Sequence, residues 1–90
     1  MCPLHLASYD RGVPTILRIR VYRFFFVSVD RSEPPHVHVR RDNMVAKFWL
    51  EPLALERAGG FSRVELNAIA RIVEEHREQF VRSWYEFFGR

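Results

Sequence analysis

Ninety residues make one domain and leave no room for a second independent core. A 48% hydrophobic share and a 14% aromatic share of the chain, with eight Phe, supply a core of large flat side chains with aromatic surface left for a partner. The formal charge is +3, and every basic residue of the fourteen except Lys47 is arginine, whose planar fork suits phosphates and carboxylates.

The single cysteine, Cys2, excludes an intrachain disulfide and a cysteine-based zinc site. The first apolar run is short and broken by Pro3, His5 and Asp10, unlike a secretory signal. No apolar stretch approaches the ~20 residues of a membrane span. The expected setting is cytoplasmic, with no membrane partner.

Residues 1–13 alternate neither as strand nor as helix and read as a loose N-terminal extension before a single domain at 14–90. Thr15 to Asp30 is dense in β-branched and aromatic residues and too long for one strand. A two-residue turn at Arg20–Val21 pairs Ile19 with Tyr22, Leu17 with Phe24 and Arg18 with Arg23. Leu17, Ile19, Tyr22, Phe24 and Phe26 then share the core face, opposite Arg18, Arg23, Phe25 and Val27. Neither turn residue favours the positive φ of common hairpin turns.

Pro34–Pro35 forces an extended approach to the next strand. His36–Arg41 and Met44–Leu50 flank Asp42–Asn43, residues that tolerate a left-handed turn. In that hairpin His38 faces Lys47, His36 faces Trp49 and Arg40 faces Val45. Val37, Val39, Ala46, Phe48 and Leu50 take the opposite, apolar side. Pro52 ends the fourth strand, and Glu51–Gly60 reads as a loop.

Ser62 and Glu65 form a capping box, with Phe61 and Leu66 at the staple positions. One helix is expected from Arg63 to about Phe88, with Leu66, Ile69, Ala70, Val73, Phe80, Trp84 and Phe87 or Phe88 on its apolar stripe. The expected fold is therefore α+β, a four-stranded antiparallel sheet of two hairpins with one long C-terminal helix packed on one face. Such a helix runs roughly 39 Å at about 1.5 Å per residue, against roughly 23 Å for a seven-residue strand. Its end should overhang, so Trp84, Phe87 and Phe88 are expected to meet a second copy in a homodimer, or a small cognate protein.

The candidate chemistry lies in His36-x-His38-x-Arg40, beside Lys47 and Trp49. Alternate strand residues sit roughly 6.5–7 Å apart, so two imidazoles could flank a phosphate as acid and base with Arg40 or Lys47 neutralising charge. That is the outline of a metal-independent ribonuclease with His36 and His38 as catalytic residues. Against it, a wet strand face is polar anyway, and both histidines could be solvated or paired with Glu33 and Glu51. Arg18, Arg23, Arg40, Lys47 and Trp49 are the candidates for binding RNA or a partner. Two ligands on one strand leave a zinc ion short of at least one more, which a carboxylate or another chain would have to give, so no metal and no cofactor is expected. His76 reads as a helix-flank residue.

The strings P-T-I-L-R-I at 14–19, Y-R-F-F-F at 22–26, E-P-P-H-V-H-V at 33–39, A-K-F-W-L-E-P at 46–52, G-F-S-R at 60–63 and W-x-E-x-F at 84–88 make the chain resemble a bacterial family catalogued as domain of unknown function 4160. Two departures stand out, the extension before Pro14 and the lack of glycine at Arg20–Val21. The resemblance implies a gene neighbour of the kind called domain of unknown function 2442, in arrangements that look like toxin–antitoxin pairs. A component of such a two-gene module, acting on RNA or on a partner protein, is the functional expectation. A non-catalytic oligomerisation or nucleic-acid-binding adaptor is the alternative.

Overall fold

The computed structural model describes residues 15–89, so the expectation for residues 1–13 lies outside the described residues. Five strands form an antiparallel meander in the order β1-β2-β3-β4-β5: Thr15–Ile19, Tyr22–Phe25, His36–Arg41, Met44–Leu50 and Leu53–Arg57. Two helices follow, α1 at Arg63–Glu75 and α2 at Arg77–Phe88.

Both expected hairpins form in the expected register. Ile19 faces Tyr22, Leu17 faces Phe24 and Arg18 faces Arg23; His36 faces Trp49, His38 faces Lys47 and Arg40 faces Val45. Arg20 accepts the cost of the first turn by taking φ 56°, and Asp42 does the same in the second at φ 57°. Val37, Val39, Ala46 and Leu50 are wholly buried with Phe24, Phe26, Ile69, Val73 and Phe80 in one core between sheet and helices.

The sheet has five strands rather than four. Leu53–Arg57 (L-A-L-E-R) holds no β-branched residue and is largely exposed, so it carries neither strand propensity nor a full alternation. It forms as an edge because the turn after Leu50 returns the chain alongside β4, with Leu50 facing Leu53 and Lys47 facing Arg57 around a register shift.

The single long helix is also corrected. The stretch begins and ends where expected, with Ser62 Oγ accepting from the Glu65 amide at 3.1 Å and Gly89 closing it at φ 75°. It is interrupted at His76, which adopts φ −108° and ψ 15°. No Gly or Pro is responsible. The His76 ring donates from Nδ1 to Ile72 O at 3.0 Å, on the same carbonyl that its own amide reaches at 3.1 Å, and a side chain inserted into the ladder is a recognised cause of a helix break.

That break disposes of the overhang. Trp84 is 1% exposed, 5.3 Å from the Phe26 ring and 4.1 Å from Phe88, so α2 buries its own end within one chain. Phe88 packs against the core and Phe87 is left 37% exposed. The unburied aromatics that motivated a dimer contact at Trp84, Phe87 and Phe88 thus reduce to Phe87. Among the described residues no helix is long and apolar enough to cross a membrane.

Candidate functional site

Strand alternation puts His36, His38 and Arg40 of β3 on the sheet face turned away from the Val37 and Val39 side. That face is built in rows across the strands. Arg18, Arg23 and Arg40 are directly paired along β1, β2 and β3. The next row runs Phe25, His38, Lys47 and Arg57 through β2 to β5, and His36 with Trp49 begins a third.

The His36–His38 pair is not an open surface. After β2 the chain makes a 3-10 turn at Ser28–Ser32, held by Asp30 N to Val27 O at 3.0 Å and Glu33 N to Asp30 O at 2.9 Å. The turn brings the Asp30 carboxylate onto both imidazoles. Oδ2 lies 2.8 Å from His36 Nε2 and 3.0 Å from His38 Nε2. His36 Nδ1 donates to Pro34 O at 2.9 Å, a contact set by the Pro34–Pro35 approach to the strand.

Aromatic rings enclose the cluster. The His36 ring is wholly buried, 4.9 Å from Trp84, 5.5 Å from Trp49 and 5.1 Å from His38. Phe25 stacks on His38 at 5.2 Å and 18°. Burial pushes the His38 pKa below its usual 6.5; the hydrogen bond to Asp30 opposes that, while His36 and Lys47 reinforce it. Burial alone would raise Asp30, but hydrogen bonds from His38 and His36 outweigh it and hold the carboxyl below 3.8.

The expected partners of this face are redistributed. Lys47, 7% exposed, donates to Glu33 Oε1 at 2.7 Å and lies 4.8 Å over the Trp49 ring. Glu33 thus serves the lysine rather than the histidines, its Oε1 being 3.8 Å from His36 Nδ1. Glu51 accepts from the Tyr85 hydroxyl instead. Two imidazoles flanking a phosphate is not the geometry found, because Asp30 already stands between them and His36 has no solvent access.

The arginine row is more open. Arg23 donates from Nε to Thr15 Oγ1 at 2.7 Å and stacks 4.7 Å over Phe25. Arg40 donates from Nε to Asp42 O at 2.7 Å. Among the described residues neither Arg18 nor Arg40 is paired with a carboxylate. A surface depression of about 480 Å³ lies on α1, lined by Ala70, Arg71, Ile72, Glu74 and Glu75 and by none of these groups. A smaller one of about 330 Å³ adjoins the cluster, bounded by Ser32, Glu33, Pro34, Pro35, Trp84 and Tyr85.

Two residues of this face were not picked out from the sequence. Asp30 lies between β2 and β3, where only its D-x5-H-x-H spacing points to the contact. Arg57 was placed in a loop. No curated protein and no solved structure matches the chain. The family described as Domain of unknown function (DUF4160) matches residues 22–85, a span that holds Asp30, His36, His38 and the whole of β2 to β5, and the chain belongs to that family.

Proposed function

We propose that the chain is the RNA-binding component of a small bacterial two-gene module of toxin–antitoxin type. The observation that carries the reading is the row Arg18–Arg23–Arg40, three arginines in direct cross-strand pairing on one face. A polyanion laid across the row meets guanidinium groups, whose planar fork suits phosphate oxygens, with Arg18 and Arg40 the exposed ends. Phe25, buried between the His38 ring and the Arg23 guanidinium, props that guanidinium on the face.

Lys47 is engaged by Glu33 and takes a supporting place, while Arg57 extends the basic surface beyond it. Burial of His36 favours binding without two-histidine chemistry, so the adaptor form of the reading is preferred over a metal-independent ribonuclease. Fluorescence anisotropy with a labelled single-stranded RNA over a salt series is the test. Affinity should fall steeply with salt, and R18Q with R40Q should flatten the log–log slope by about 1 to 2 units. Absence of binding at low salt would remove RNA and leave a protein partner, such as a neighbouring domain of unknown function 2442 protein, for the same face.

A further inference from the structure

We propose that Asp30, His36 and His38 bind one divalent first-row transition-metal ion, zinc or a near neighbour, a site that is independent of the RNA reading. The argument begins with the His36 ring. Its Nδ1 faces a backbone carbonyl, Pro34 O at 2.9 Å, which can only accept, so the ring proton is on Nδ1. In the neutral ring Nε2 then carries a lone pair, and it points at the Asp30 Oδ2 lone pairs from 2.8 Å. With the His36 ring wholly buried, the contact needs a positive charge between the two atoms, either a second ring proton or a metal ion.

The surroundings fit the ion. A backbone carbonyl on the far nitrogen is the outer-shell partner that fixes the tautomer and aim of a metal-bound histidine. One nitrogen from each ring and one carboxylate oxygen lie within 4.8 Å of one another. Tetrahedral zinc, with bonds of about 2.0–2.1 Å, asks for ligand separations of about 3.3 Å. The 2.8 and 3.0 Å contacts to Oδ2 lengthen to reach that, and the two imidazole nitrogens, within 4.8 Å of each other, close toward it. Two imidazoles and one carboxylate are borderline donors that suit zinc, cobalt or iron(II) over magnesium or calcium.

Three protein ligands also leave a coordination position for water or an anion, unlike a closed structural site. The His38 and Asp30 side chains keep 11% and 16% of their surface accessible, so an ion has a way in that His36 alone would deny. The sequence already offered the two histidines; the turn at Ser28–Ser32 contributes the carboxylate they lacked.

Titration of Co²⁺ into the untagged, chelator-stripped full chain, followed by visible d–d absorption and by competition with Zn²⁺, tests the site. The expected result is saturation at one equivalent, displacement of the bands by Zn²⁺, and a rise in melting temperature with either ion. Asp30→Asn and His38→Gln should each weaken binding by more than about 100-fold, beyond the 10–100-fold typical of outer-shell changes. His76→Gln, on the helix break, should bind as the parent does. Circular dichroism of both ligand variants keeps misfolding distinguishable. No saturable absorption and no thermal shift in the folded parent chain would overturn the proposal and leave a second ring proton as the charge. Binding unchanged by Asp30→Asn would overturn it equally.

Discussion

Arg41 Nη2 donates to Glu65 Oε1 at 2.8 Å, joining the end of β3 to the first turn of α1. The Tyr22 hydroxyl donates to the other oxygen of the same carboxylate at 2.7 Å, so β2 is drawn into the contact. Glu65 was legible in the sequence as the acidic half of a capping box, reaching back to its own N-cap. In the fold its carboxylate serves two strands, while Ser62 keeps the cap.

This arrangement has a pH dependence of known sign. The Arg41 guanidinium, and then the Tyr22 hydroxyl, hold Glu65 below the 4.5 usual for glutamate. A depressed folded-state pKa means its contribution is present above 4.5 and is lost as pH falls through the lower folded value. Urea melts between pH 6 and pH 3 should therefore show a steeper acid loss in the parent chain than in Glu65→Gln. Tyr22 acts at the other end. Burial, then its bond to Glu65, raises it above 10.0, so its contribution is present below 10.0 and is lost as pH rises through the folded value. Parallel acid limbs for parent and variant would contradict the assignment.

At the start of α1 the Ser62 hydroxyl oxygen accepts from the Glu65 amide, one of the amides with no partner inside the helix. Ser62→Ala should cost about 1 kcal/mol, and Ser62→Asp should restore most of it. Chemical denaturation reads both directly, and a loss below about 0.2 kcal/mol for the alanine variant would place the helix start elsewhere.

Gly59 sits at φ 65°, and a Cβ on it would come within 1.8 Å of the Val45 carbonyl oxygen. Backbone cannot step aside as a flexible side chain can. The left-handed conformation alone costs a non-glycine residue roughly 1–2 kcal/mol, and the clash adds overpacking strain of about 1–3 kcal/mol. Gly59→Ala should thus destabilise by more than about 2 kcal/mol in urea. Gly89→Ala, with no atom within 4 Å of the added carbon, should lose only the conformational part.

How much of this was readable from residues follows from what each signal encodes. Alternation over Thr15–Ile19, Tyr22–Phe25 and His36–Leu50 encodes which side chains share a face, and register follows because a one-residue slip would invert all of them. Leu53–Arg57 has little to bury, so its pairing is set by the turn after Leu50 and leaves no mark on its composition. His76 looks like any helix-flank residue until its ring finds the Ile72 carbonyl. Asp30 joins His36 and His38 only because Ser28–Ser32 turns tightly, a local geometry with no glycine or proline inside it to announce it.

Trp84 offers the most direct check on the helix break. A continuous helix would carry it past the sheet, where it would need a second chain for cover. The break at His76 lays it instead over Phe26 and beside His36, at ring distances of 5.3 and 4.9 Å. Burial of an aromatic of this size is worth about 1.5–3 kcal/mol against its exposure, enough to favour the bent path strongly. With Trp49→Phe as background, Trp84 emission should resist acrylamide quenching, and the resistance should not change as the chain is diluted from micromolar to nanomolar concentration. Quenching that rises on dilution would mean that a neighbouring chain, and not α2 itself, shields the ring. Trp84→Ala should cost about 3–5 kcal/mol, as large core truncations do, and should loosen His36 along with α2.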